Sequence, residues 1–385
     1  MSKPQRSTRQ KLASHSTAKV EVFTYYLGIY LNILGMAGMR RVHIYDLMCG
    51  EGQYADGRYG SALAGLRRVL AYFSEYPSHT LSIEYTLNDA GMSDVELGRR
   101  KIDRVKERAD RLPFSEVISK GRFAIRYEAE AYQQATAGVI ERTRALAERE
   151  KMLLFIDPWG YKDIEIADLR AALACGQSEV LLFLPVEMMY RFARKAYHEP
   201  FSGGEALHRW LTELFPERLP AFANVHDFIN QFRRALQEKV QVPYSSRFTL
   251  ETEDHNTYSL FYFTSSRRGL KSMLEAQWKH DQESGSGHKH RVEPTFTLFA
   301  PGEMTSYASR LERFLGSAST RTNEDLFEFG LTEGFLPKHT ADVLRALSTQ
   351  SRLRVLSLDG QTIRKNAFYL DSKYPRQVSF TLLSP

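Results

Sequence analysis

The chain has 385 residues, 43% hydrophobic and 25% charged, which is ordinary for a globular protein and long enough for one large α/β domain and a smaller one. Its formal net charge of +6 is a mild basic excess that favours a polyanionic partner without establishing one. No apolar run approaches the roughly 20 residues that span a bilayer, so no membrane span is expected, and the two cysteines, Cys49 and Cys175, have no partner at metal-ligand spacing, so neither a disulfide framework nor a zinc site is supported.

The N-terminal "MSKPQRSTRQK" is basic and polar with no apolar region behind it. It reads as a flexible arm over residues 1–14 rather than a secretory leader, and a cytoplasmic location is expected. From residue 19 to 34, "KVEVFTYYLGIYLNIL" sets apolar and aromatic residues at helical spacing. Strands are expected at 42–45, 81–87, 123–127, 152–156 and 180–184, separated by the helical stretches "GSALAGLRRVLAYF", "DVELGRRKIDRVKERADRL", "AYQQATAGVIERTRALAERE" and "IADLRAALACG". Such alternation is the pattern of a parallel sheet covered on both faces.

A helical insertion follows at about 204–240, broken by Pro216 and Pro220. The run "SRFTLETEDHNTYSLFYFTS" then gives two strands reversed at Asp-His-Asn. Five strands with helical crossovers followed by an antiparallel hairpin is the order of a Rossmann-like class I methyltransferase sheet, and the domain is expected over 15–304. Residues 305–385 look separate: helices near 306–315, 324–330 and 339–347, then strands at 352–358 and 378–383, follow the plan of a winged helix.

The first strand runs into "DLMCGEGQY". Gly50 and Gly52 lack a Cβ, so the chain can turn sharply and let a ligand lie against main-chain N–H groups, with Asp46 at the strand end near a ligand amine. The D-x-x-x-G-x-G form suits a methionine-bearing nucleoside, which makes S-adenosylmethionine (SAM) the expected cofactor. Strand two ends "TLNDA", placing Asn88 and Asp89 where an oxygen could accept from ribose hydroxyls. Strand three is followed by "YEAEAY", where Glu128 and Glu130 are either adenine-side groups or solvated surface carboxylates.

"LLFIDPWGYKD" delivers Asp157, Pro158 and Trp159 to the carboxyl end of the fourth strand. A carboxylate and a proline carbonyl can accept from an exocyclic amine while an aromatic face stacks on a base held out of its stack. The alternative is a structural Asp-Pro turn with Trp159 in the core. Cys49 as a nucleophile lacks a Pro-Cys context. His280, His288 and His290 near Asp281 match no standard metal spacing, so their Gly/Ser-rich surroundings read as a loop and no metal is expected.

Together, "HSTAKVEVFTYYLGIYLNIL", "YDLMCGEGQY" with Gly60-Ser61, "FIDPWGY" and "YSLFYFTSSRRGLKSMLEAQW" resemble, in order, the blocks of the three-Cys-motif partner (TcmP) family, over most of the chain to about residue 300. The resemblance implies a methyltransferase-like body with Asp46, Gly50 and Gly52 in the cofactor loop, Asp157 and Pro158 on the catalytic face, and association with a three-cysteine protein similar to radical-SAM enzymes. His15 and Lys19 match its N-terminal block. Met48-Cys49 stands where the family commonly shows Phe-Ala, and "DPWG" departs from the "DPPY" of amino methyltransferases towards the "DPFG" of tRNA guanine methyltransferases.

Two functions follow. The first is SAM-dependent N-methylation of an exocyclic base amine, DNA favoured over RNA. Its nucleic-acid contacts would come from Lys338, Thr340 and Arg345 on the winged-helix helix and from Arg364 and Lys365 on its ribbon. The second is an accessory role, in which the chain binds the three-cysteine partner and nucleic acid while the partner does the chemistry of modification or repair.

Overall fold

The computed structural model describes residues 14–158, 160–199, 201–252, 256–282, 285, 287–288, 303–358, 363–364 and 366–383. Residues 1–13 of the expected arm, Trp159, Lys365, His290 and most of the turn at Asp-His-Asn lie outside them.

Two compact units divide the chain, one ending at Gly269 and the other beginning at Leu270. The main sheet has eight strands: seven run in the order β3-β2-β1-β4-β5-β7-β6, and the two-residue strand Gly287–His288 lies next to β6 at the edge. The seven are β1 (Arg41–Asp46), β2 (Ser82–Asn88), β3 (Phe123–Glu128), β4 (Glu150–Ile156), β5 (Ser178–Leu184), β6 (Tyr244–Glu251) and β7 (Thr257–Thr264). The first five pair in parallel, whereas β7 is antiparallel to both β5 and β6. This is the expected class I methyltransferase sheet. The strand order reverses between β1 and β4, so a crevice opens outside their carboxyl ends, where ligands bind in sheets of this kind.

The strand sequences explain their place. "MLLFI" and "VLLFL" are apolar on both faces because both faces are covered: β5 is buried at every position. On one face lies α1 (Ser14–Met36), packed against α2 (Ser61–Glu75); Phe23 stacks on Phe155 of β4 at 4.4 Å. On the other face, Met152, Leu154, Ile156, Val180, Leu182, Phe261 and Phe263 meet Val139, Leu169, Trp210, Phe228 and Phe232. The last two of these rings belong to the long helix of the expected insertion, which consists of helices Glu205–Leu214 and Val225–Val240 separated by the segment holding Pro216 and Pro220.

One expected element differs. The helix read from Asp94 onward begins only at Lys101, giving α3 (Lys101–Ala109). Before it, Met92–Asp94 and Arg99–Arg100 form a small antiparallel ribbon. Asp94 Oδ1 accepts from Leu97 N at 3.1 Å and Gly98 adopts φ +62°, so the aspartate closes a turn instead of capping a helix.

The second unit contains helices Glu303–Gly316, Asn323–Thr332 and Pro337–Thr349 and a three-stranded antiparallel sheet with Val378–Leu382 between Arg321–Thr322 and Leu353–Ser357. Tyr307 stacks on Phe335 at 3.9 Å in its core. Trp278 belongs to this unit: its Nε1 donates to Gly334 O at 2.9 Å and its ring lies 4.0 Å from that of His339. The unit therefore starts well before residue 305, because Leu270, Met273, Leu274 and Trp278 are buried apolar residues of its first segment.

Candidate functional site at the carboxyl edge of the sheet

After Asp46 the chain is stitched to both neighbouring strands: Leu47 N donates to Phe155 O at 3.1 Å and Cys49 N to Asn88 O at 3.0 Å. It then turns through Gly50 (φ +66°) and Gly52 (φ +75°), a left-handed backbone that glycine adopts without steric cost. The two glycines face different surroundings. A Cβ at Gly52 would come within 3.1 Å of Leu63 and 3.3 Å of Val105, whereas one at Gly50 would meet none of the described residues within 4 Å. Gly52 is thus required by packing against α2 and α3, while Gly50 opens the turn towards the crevice.

The end of β2 holds this turn in place. Asp89 Oδ2 accepts from Gly50 N at 2.9 Å and Oδ1 from Gly91 N at 2.7 Å. Asn88 is buried, and its Nδ2 donates to Leu47 O at 3.0 Å and Glu130 O at 3.1 Å while its Oδ1 accepts from Glu130 N at 2.9 Å. The side chain expected to face ribose hydroxyls is therefore committed to backbone: it joins the loops after β1 and β3. Glu128, half-buried at the end of β3, has its carboxyl raised above the ordinary range by burial and by Glu130.

Asp46 is 0% exposed. Its Oδ2 accepts from Ser61 Oγ at 2.6 Å, and its Oδ1 has no partner among the described residues. Burial pushes the carboxyl up to about 7, with Asp157 and Asp89 raising it further and Ser61 and Lys19 opposing. A buried acceptor with one idle oxygen, placed beside other carboxylates, is an environment that a cationic donor would relieve. Cys49 beside it is buried, and burial together with Asp46 and Asp89 pushes its thiol well up. That state is the opposite of the activated thiolate a nucleophile needs.

Across the reversal point, Asp157 follows β4 directly. Its Oδ2 accepts from Lys19 Nζ at 2.5 Å, and the two side chains are 23% and 7% exposed respectively. The ammonium also lies 4.2 Å from the ring centroid of Phe183, near the end of β5. Phe183 in turn stacks on Tyr258 of β7 at 5.3 Å and 7°. Pro158 O accepts from Gly160 N at 2.9 Å, with Gly160 at φ +107°. The proline carbonyl thus closes its own turn, and Asp157 is the stronger acceptor at this edge. Lys19 could not be assigned a role from sequence, since its partner lies 138 residues away.

Among the expected nucleic-acid contacts, Lys338 and Arg364 are exposed, and Arg345 is exposed but ion-paired with Asp342. Thr340 is not a surface contact: it is 1% exposed and shares a hydrogen bond with Tyr307 Oη at 2.6 Å. It falls on the core face of its helix, as does His339, whose Nδ1 accepts from Leu336 N at 3.1 Å. Among the described residues no group of three or more His, Cys, Asp or Glu is placed to hold a metal ion, and no helix is long and apolar enough to cross a membrane.

No family model matches the chain, the TcmP family included, and no curated protein matches. Eight chains of solved structures are similar, among them these three. A putative O-methyltransferase from Klebsiella pneumoniae has 13% identity over 63% of this chain and 80% of its own, with a TM-score of 0.29. The O-methyltransferase from Bacillus cereus in complex with SAH has 12% identity over the same shares, with a TM-score of 0.28. Loganic acid methyltransferase with SAH has 8% identity over 69% of this chain and 99% of its own, with a TM-score of 0.29. At that level of similarity the fold rests on the chain's own strand order, which is that of a class I methyltransferase sheet.

Proposed function

We propose that this chain is a SAM-dependent methyltransferase acting on an exocyclic base amine of nucleic acid, with DNA favoured over RNA. The observation that carries the cofactor half is the idle Oδ1 of fully buried Asp46, beside a left-handed two-glycine turn with open space before Gly50. SAM supplies an electrophilic methyl group on a sulfonium and carries an ammonium that such an oxygen could accept. Asp46 would hold that ammonium, Gly50 and Gly52 would let the ligand approach backbone, and Asp89 fixes the N–H of Gly50. Glu128 remains the candidate for the adenine side.

On the acceptor side, Asp157 can take a hydrogen bond from the amine and later its proton, and the half-buried ring of Tyr258, backed by the buried ring of Phe183, is a surface of the kind that could stack on an extruded base. The net charge of +6 and the exposed Lys338 and Arg364 of the second unit, read as a winged helix, support a nucleic-acid substrate over a small molecule. The test is incubation with methyl-labelled SAM and separate pools of duplex DNA, single-stranded DNA and RNA. Nuclease-releasable label on one pool is the expected outcome. SAM binding with no transfer to any pool would instead favour the accessory role beside a three-cysteine partner, and addition of that partner would then be required for activity.

A further inference from the structure

Lysine is among the side chains least often buried, and when buried it needs a partner and a reason. Lys19 sits in the early turns of a helix, on its buried side among Ala18, Val20, Val22 and Phe23, whereas the charged neighbour Glu21 is exposed. Any aliphatic residue would fill that place without desolvating a charge, so packing alone does not account for it. What the ammonium touches is specific: Asp157 Oδ2 at 2.5 Å, with the Phe183 ring beneath it at 4.2 Å. The ring limits where the cation can sit, and the cation limits how the carboxylate can turn.

We infer that Lys19 is a positioning residue for the acceptor: it takes one oxygen of Asp157, fixes the carboxylate against the Phe183–Tyr258 stack, and leaves the second oxygen for the substrate amine. The inference rests on the methyl transfer proposed above and adds a requirement to it. An Asp-Pro motif free to rotate could accept an amine from several directions, whereas a carboxylate held through one oxygen accepts along one. Lys19 itself contacts neither the reacting atoms nor, in this role, the cofactor. It acts through Asp157.

The experiment compares Lys19→Ala and Lys19→Met with wild type, using full-length protein and the nucleic-acid pool that takes label from wild type. Three quantities are read: SAH affinity at pH 8.5, where Asp46 is ionised; affinity for the nucleic acid in the presence of SAH; and the transfer rate at saturating substrates. Both variants should bind SAH within about twofold of wild type, yet transfer the methyl group about 100-fold more slowly, the cost of a misaimed acceptor. Their nucleic-acid affinity should fall by less than the rate. Added propylamine should then restore about tenfold of the loss in Lys19→Ala, where its ammonium can replace the missing one, and nothing in Lys19→Met, whose side chain fills the space.

Transfer at the wild-type rate by either variant overturns the inference. So does a loss that propylamine leaves untouched in Lys19→Ala and that is matched by lost SAH binding, because the lysine is then structural. Absence of transfer by wild type despite SAH binding overturns the methyltransferase reading first, and this inference with it, so the two failures are told apart by the wild-type arm.

Discussion

The two halves of the crevice are built in opposite ways. On the β1–β2 side nearly every contact is made to or by backbone: Asp89 to the N–H of Gly50, Asn88 to Leu47 and Glu130, and Gly52 to the N–H of Gly60. On the β4–β5 side the contacts are between side chains, with Asp157 held by Lys19 and Lys19 resting on Phe183. A backbone cradle tolerates changes of side chain and fixes shape. A side-chain constellation fixes charge and direction, and a single substitution can dismantle it.

The largest expected effect follows from that contrast. Asp157→Ala should lower methyl transfer about 10³-fold, the middle of the range for loss of a positioned proton acceptor, with cofactor affinity unchanged. Full transfer by the variant would remove Asp157 from the mechanism. The counterpart on the other side is Asp46→Asn, which keeps an acceptor for Ser61 but loses the charge. It should weaken cofactor binding about 100-fold, as for a lost charge-assisted hydrogen bond.

The same substitution reports on pH. The Asp46 carboxyl is raised in the folded protein from its ordinary 3.8 to about 7, so folding favours its protonated form. Its contribution to stability is present below about pH 4 and is lost as pH rises towards 7. Binding of a cation has the opposite sign, since the ionised form is the one that attracts it; cofactor affinity should climb as pH rises through about 7. Asp46→Asn should flatten that climb and raise the melting temperature of the free protein at pH 8 relative to pH 4. Isothermal titration and thermal melts across that range check both signs, and an unchanged affinity profile in the variant would mean that Asp46 does not meet the cation.

The glycines sharpen the comparison within one turn. Gly52→Ala places a methyl against Leu63 and Val105 on a left-handed backbone and should cost about 2 kcal/mol of stability. Gly50→Ala has the same backbone problem with open space around it, so about 1 kcal/mol is expected. Its methyl points where a ligand would lie, so its loss of cofactor affinity should exceed that of Gly52→Ala. Equal affinity losses in the two variants would show that the open space is not part of the site.

What could be read from sequence divides along the same line. The strands β4 and β5 were legible because burial on both faces makes them continuous apolar runs, and the hairpin β6–β7 because two β-rich runs flank the turn residues Asp-His-Asn. The glycine turn was legible because its members lie within seven residues of one another. Lys19 was not, because its meaning depends on a partner that only the fold supplies. Asn88 was placed correctly at a strand end but given an outward role, since sequence does not show which way a strand-end side chain turns. The helix read from Asp94 failed because Gly98 takes a left-handed conformation that helical spacing does not register. Thr340 was misjudged for a related reason: one residue of rotation around a helix, about 100°, separates a surface contact from the core.

That last point supplies the smallest and most selective test. Thr340→Val removes the hydroxyl that pairs with Tyr307 inside the second unit and should cost about 1–2 kcal/mol of stability, leaving nucleic-acid affinity untouched once the protein is folded. Lys338→Ala removes an exposed ammonium two residues earlier on the same helix. It should leave the melting temperature unchanged, weaken nucleic-acid binding only severalfold, and reduce the slope of log affinity against log salt by about one, as for loss of a single phosphate contact. The two substitutions therefore move different observables. If Thr340→Val weakened binding at constant stability while Lys338→Ala did nothing, the exposed face of this helix would not be the one that meets nucleic acid, and the basic excess of the chain would have to act elsewhere.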